Sequence, residues 1–198
     1  MNIFESIENF SYMIADKIGY GDSEDNIELY RYSIFMIFSQ FFTMGSGFII
    51  SLLLGCTTPY IIITIVFALL RRGTGGFHCD TFAGCYFTSI IMLIIFSMFS
   101  IVFVNYYEIL FIISIIGAIY IFPICPKPSE NSPSRGYSED IRFRKILRNY
   151  LIIFIILNII CMYYGIFIFS SSISFGILEA VFATSDIGEF IIKNIVKL

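Results

Sequence analysis

The sequence predicts an all-α integral membrane protein of six transmembrane helices preceded by an interfacial amphipathic helix, and three observations carry that expectation. Hydrophobic residues fill 58% of the 198 positions and charged residues only 14%, whereas a soluble domain carries roughly 25% charge to cover its surface. The apolar residues gather into six stretches, at 30–54, 59–70, 85–104, 109–124, 150–169 and 173–192. The basic residues fall only in alternate connections. A net charge of −3, with the cations confined to short segments, gives no basis for nucleic-acid binding.

The N-terminal segment 1–20 differs in kind from the six stretches. Ile3, Phe4, Ile7, Phe10, Ile14 and Ile18 repeat at helical spacing, with Glu5, Glu8, Ser11 and Asp16 on the other side. Such a helix lies in the membrane interface, against lipid or a partner, rather than crossing. Its acidic start does not fit a signal peptide. Positions 21–28 read as an acidic linker.

A spanning helix needs about 20 apolar residues to cross a core of ~30 Å. Stretches 30–54, 85–104 and 150–169 meet that length, 59–70 is short, 109–124 is marginal, and 173–192 is interrupted by Glu179, Asp186 and Glu189. Charge placement settles the count at six. Lys17 and Arg31 precede the first stretch, Arg71 and Arg72 follow the second, and Lys193 and Lys197 follow the sixth. Lys127, Arg135, Arg142, Arg144, Lys145 and Arg148 separate the fourth from the fifth. The connections at 55–58, 105–108 and 170–172 carry no cation. Basic residues in short loops stay in the cytoplasm, which places both termini inside and makes 59–70 a span. The chain is therefore one membrane domain, 1–198, with cytoplasmic loops at 71–85 and 125–149. The second of these reads as an anchor against anionic lipid headgroups.

Five cysteines stand at positions 56, 79, 85, 125 and 161. An odd number, with several facing a reducing compartment, argues against a disulfide framework. The chemistry concentrates in Arg71–Cys85, which holds the chain's single histidine and four glycines. A thiol protease needs a thiolate, a base to form it and donors for the oxyanion. Cys85 stands where the third stretch begins, and a helix N-terminus favours a thiolate through its dipole. His78 is the one available imidazole. Seven residues of continuous helix would separate the pair by about 10.5 Å along the axis, so the segment must fold back at Gly84 or Gly75-Gly76. Cys79 is a rival nucleophile, but chain neighbours rarely aim side chains at one another. A metal site built from His78, Cys79, Asp80 and Cys85 matches no usual zinc spacing, and no metal or other cofactor is expected.

The pattern Arg71-Arg72-x-x-x-Gly76-x-His78, followed by Cys85, resembles the signature of the accessory gene regulator B (AgrB) family of bacterial quorum-sensing membrane peptidases. The resemblance extends over nearly the whole chain, including Gly176-Ile177-Leu178-Glu179-Ala180 in the last stretch. The segment 125–149 departs from some members by interleaving Glu130, Glu139 and Asp140 among its cations.

The resemblance implies a cysteine endopeptidase that processes the precursor of an autoinducing peptide in the bacterial cell membrane. Cys85 would be the nucleophile, His78 the base, and Arg71 and Gly76 would bind substrate or shape the loop. An acyl thioester would then close to a thiolactone or lactone. The implied partners are the precursor peptide, membrane lipids and a second copy in a homodimer. The competing expectation is a non-catalytic permease or scaffold, in which Glu179, Asp186 and Glu189 share one helical face along a transport path.

Overall fold

The computed structural model describes residues 3–21, 23–75, 82–127 and 137–196. These residues form α1 (Ile3–Ile18), α2 (Glu24–Leu54), α3 (Thr57–Thr74), α4 (Phe82–Val102), a 3-10 turn (Val104–Tyr106), α5 (Tyr107–Ile121), α6 (Tyr137–Tyr163), α7 (Phe167–Thr184) and α8 (Asp186–Val196). Among the described residues, five segments are long and apolar enough to cross a membrane: Ile37–Leu54, Ala83–Val102, Val104–Ile121, Glu139–Tyr163 and Phe167–Thr184. The chain is a multi-pass helical membrane protein. Much of its apolar surface faces outward, as on α5, where Ile109, Ile112, Ile116 and Ile119 are all more than half exposed. Lipid, not protein, is what such a face needs.

The expected second span, α3, is not among those five, because its last turn carries Arg71 and Arg72. It nonetheless runs the length of the bundle. Its start shares a surface depression with Gly55, Ile101 and Ile168 at one end, and its last residues meet Lys127 at the other, where the Lys127 amide donates to the Thr74 carbonyl at 2.8 Å. Glycines let neighbours press against it, as small residues do between membrane helices. A Cβ added at Gly176 of α7 would sit 2.7 Å from Val66, and one at Gly73 would sit 2.7 Å from the Cβ of Leu147 on α6. Tyr60 lies over Gly47 of α2 and donates its hydroxyl to the Met44 carbonyl at 3.0 Å. Val66 and Leu70 join Ile121, Leu147, Leu151, Ile173 and Ile177 in one core cluster. Tyr60 and Ile63 join Ile90, Leu93, Leu110 and Phe175 in the other.

Three expected boundaries move. The chain does not turn at 170–172: Ser170, Ser171 and Ser172 are buried inside α7, and the turn falls at Gly165. That residue takes φ 71°, while the Gly165 and Ile166 amides donate to the Met162 and Cys161 carbonyls. This left-handed helix end is the one glycine makes without a Cβ penalty. The serines find partners instead of water. Ser170 donates to Asn158 at 2.6 Å, Asn158 to Ser174 at 2.8 Å, and Ser171 to the Ser100 carbonyl at 2.9 Å.

Next, the expected sixth span divides at Ser185. Its extended backbone stops α7, and its hydroxyl accepts from the Gly188 amide at 3.0 Å, which caps α8. Finally, the segment 125–149, expected as a loop, contains the first turns of α6, so Arg142, Arg144, Lys145 and Arg148 ride on a helix.

The N-terminal segment is helical, as expected, and α1 doubles back onto the first turns of α2. Asp16 pairs with Arg31 at 2.7 Å, and Phe10 meets Phe38 edge to face. With 31 residues, α2 is about 46 Å long at 1.5 Å per residue. Its apolar window starts at Ile37, so α1 meets both the polar start of α2, at Arg31, and the beginning of that window, at Phe38.

Candidate active site

Cys85 lies in the first turn of α4, as the sequence led us to expect, and is partly buried. Arg71 does not lie in a loop: it belongs to the last turn of α3. Gly75 ends that helix with φ 62°, and its amide donates to the Arg71 carbonyl at 3.2 Å. His78 and Gly76, with Cys79 and Asp80, lie outside the described residues.

The described part of the site is a cavity of about 170 Å³ that both Cys85 and Arg71 line. Each wall is one helical face. Cys85, Thr88, Ser89 and Met92 stand at offsets of three, four and seven on α4. Phe67 and Arg71 are one turn apart on α3, and Glu179, Phe182 and Ala183 share a face of α7. Ser39, Gln40 and Thr43 come from α2, and Ile192 of α8 closes the wall. The thiol thus shares one cavity with polar side chains from four helices, in a space otherwise bounded by apolar ones. That combination suits a reaction that must exclude bulk water.

The sequence reading missed the α2 wall. Gln40 is the chain's single glutamine and stands inside an apolar span, which was the available signal. The three carboxylates separate in the fold. Glu179 is 2% exposed in α7, while Asp186 and Glu189 lie beyond the break, on α8. Lys127 donates to Asp186 at 2.7 Å, to Glu189 at 3.0 Å and to the Thr184 carbonyl at 3.3 Å, and Lys193 pairs with Glu189 at 2.8 Å. The single carboxylate face expected for a permease is therefore divided between two helices. Burial pushes the Lys127 ammonium down, but its bonds to Asp186 and Glu189 outweigh that and raise it overall. Hydrogen bonds from Lys193 and Lys127 hold Glu189 below the usual carboxylate range.

The same connection carries Cys125. Burial lifts its thiol to about 11 against the opposing pull of Arg71, Arg144 and Lys127. A thiol held there is protonated at neutral pH and is not a competing nucleophile. Among the described residues no cluster of His, Cys, Asp and Glu has the makings of a metal site.

The family model described as Accessory gene regulator B matches residues 7–184. A Clostridium perfringens (strain SM101 / Type A) protein described as AgrB-like is 28% identical over 171 residues, covering 81% of this chain and 80% of the relative. No solved structure matches the chain. The match takes in the whole cavity except Ile192 and spans all seven helices from α1 to α7: this chain belongs to the accessory gene regulator B family, which is associated with autoinducer-peptide processing in quorum sensing.

Proposed function

We propose that the chain is a membrane cysteine endopeptidase that cleaves an autoinducer precursor on its C-terminal side and lets the retained part cyclise. The observation that carries this reading is the shared cavity of Cys85 and Arg71, in a chain of the AgrB family. In this mechanism His78 takes the Cys85 proton and the thiolate adds to a backbone carbonyl of the precursor. The oxyanion is met by amides at the start of α4. His78 then returns the proton to the leaving amine, and an acyl thioester on Cys85 remains. An internal thiol or hydroxyl of the peptide displaces Cys85, giving a thiolactone or lactone and restoring the enzyme thiol. Arg71 holds the substrate, and Gly76 shapes the loop. The protein works as a homodimer. Six spans cross the membrane, α3 included, with both termini in the cytoplasm and α1 along the inner interface.

The test is cleavage of a precursor drawn from a short reading frame beside this gene, co-expressed with variants. Cys85→Ala should abolish cleavage and His78→Ala should lower it at least a hundredfold, within the ~10²–10⁴ that general-base catalysis contributes. Cys79→Ala should retain most activity. A precursor lacking its ring-closing side chain should leave a hydroxylamine-sensitive adduct on Cys85. Cleavage by Cys85→Ala, or an adduct on Cys79, would overturn the assignment.

A further inference from the structure

Glu179 is the feature of the cavity that the mechanism leaves unused. It lies in the C-terminal half of α7, is 2% exposed and lines the cavity that Cys85 also lines. Its Oε2 is buried without a hydrogen-bond partner, and no ion pair joins Glu179 to another described residue. A buried polar oxygen left in that state costs free energy, and more so for a carboxyl group. Other polar groups of the same bundle are satisfied by close neighbours, as Ser170, Asn158 and Ser174 are. Few buried side-chain atoms among the described residues lack a hydrogen-bond partner, and Glu179 Oε2 is one of them, in the wall of a cavity that holds the candidate nucleophile.

The surroundings restrict what can satisfy it. Arg71 lines the same small space, so a cationic ligand group would meet a guanidinium as it entered. Phe67, Met92, Phe182 and Ala183 give the space apolar wall beside the uncharged polar side chains of α2 and α4. A neutral donor carried on a mostly apolar body fits both conditions. Cavities of ~150 Å³ accept a benzene-sized group, so about 170 Å³ takes one side chain with its adjoining peptide unit. Main-chain N–H groups are the neutral donors that every peptide presents, and in this bundle they have no water to return to.

We infer that Glu179 is a substrate-binding residue whose carboxyl accepts a hydrogen bond from a backbone N–H of the precursor, seating one residue beside the bond that Cys85 attacks. The inference rests on the endopeptidase reading above and deepens it. Purified protein in lipid nanodiscs would be assayed with synthetic precursor peptides, each N-methylated at one backbone position on either side of the cleaved bond. One N-methyl position should raise KM at least tenfold on the unmodified protein, with kcat changed less than threefold. On Glu179→Ala that methyl should cost less than twofold, because the acceptor it blocks is already gone; a double-mutant cycle reads that coupling. Glu179→Gln, which keeps a carbonyl oxygen in place, should recover most of the KM lost in Glu179→Ala. Independently, Ala183→Phe should fill the cavity and raise KM at least tenfold.

Absence of any N-methyl-sensitive position would overturn the inference, and so would a KM indifferent to Ala183→Phe. Both outcomes remain readable if Glu179→Ala fails to fold. A sensitive position whose penalty persists in Glu179→Ala would assign the N–H to another acceptor. Cleavage that survives Cys85→Ala would instead defeat the endopeptidase reading itself, so the two failures are distinguishable.

Discussion

Single residues in this bundle act through the space they leave. Gly73 is the clearest case, because a Cβ there would stand 2.7–2.9 Å from the side chain and backbone of Leu147. Backbone does not yield as a flexible side chain would, so Gly73→Ala must push α3 off α6. Overpacking of this kind costs about 1–3 kcal/mol. The displaced turn also carries Arg71 into the cavity wall, so activity should fall at least tenfold. Gly45→Ala meets nothing within 4 Å and should hold or raise the melting temperature, since alanine favours a helix over glycine by roughly 1 kcal/mol. Thermal unfolding in detergent, followed by size exclusion, compares the two. Cys85 was legible as a candidate from its thiol at a helix start, and Arg71 only through the family resemblance; the structure sets both in the wall of one cavity. Gln40, Thr88 and Glu179 were legible as residue types but not as wall partners, since helix rotation decides which face meets which.

At the scale of elements, Lys127 braces the site from outside it. Its amide bonds to the end of α3, and its ammonium spans the elbow between α7 and α8. The ion pairs set a pH window. Glu189 is held below its ordinary value, so its contribution is present above about pH 4–5 and is lost as pH falls through the lowered value. Lys127 is held above its ordinary value, so its share persists below about pH 10 and is lost only as pH rises further. Hydrogen exchange should therefore show α8 protected at pH 7 and opening first below pH 4. Lys127→Met should open α8 at pH 7 as well and reduce cleavage several-fold, by freeing the end of α3 next to the site. Equal protection of α8 in both proteins would refute the brace.

The elbow itself was readable, since Ser185-Asp186 is a helix-start signal, but the apolar run on either side obscured it. In the same way the triple serine resembled a loop on composition, whereas the Gly165 turn is set by backbone geometry. Both misreadings come from reading polarity as exposure. Inside a bundle, a serine that bonds to a neighbouring helix is as well housed as a leucine.

For the molecule as a whole, hydropathy made the multi-pass helical architecture legible, while the sixth crossing expected from the alternation of cations rests on α3, which is not among the five apolar spans. α3 ends in two arginines and packs against α4, α6 and α7. Impermeant maleimide applied to intact cells should label single cysteines placed at Gly55 and Gly165 and leave those at Arg135 and Lys197 unlabelled. The reverse pattern would invert the topology, and labelling at both Gly55 and Arg135 would remove α3 from the count of crossings.

One consequence concerns traffic. The serines that interlock α4, α6 and α7 occupy the end opposite to Arg71 and Lys127, and Tyr60, Ile63 and Phe175 fill the level between. The cavity beside Cys85 is lined by neither those serines nor Tyr60, Ile63 or Phe175. In sealed proteoliposomes with those cations outward, cyclised product should collect in the outer medium and not in the lumen. If the chain forms its cyclic product there, that product should leave on the side from which the precursor came, and product found in the lumen would reveal a route across the bundle.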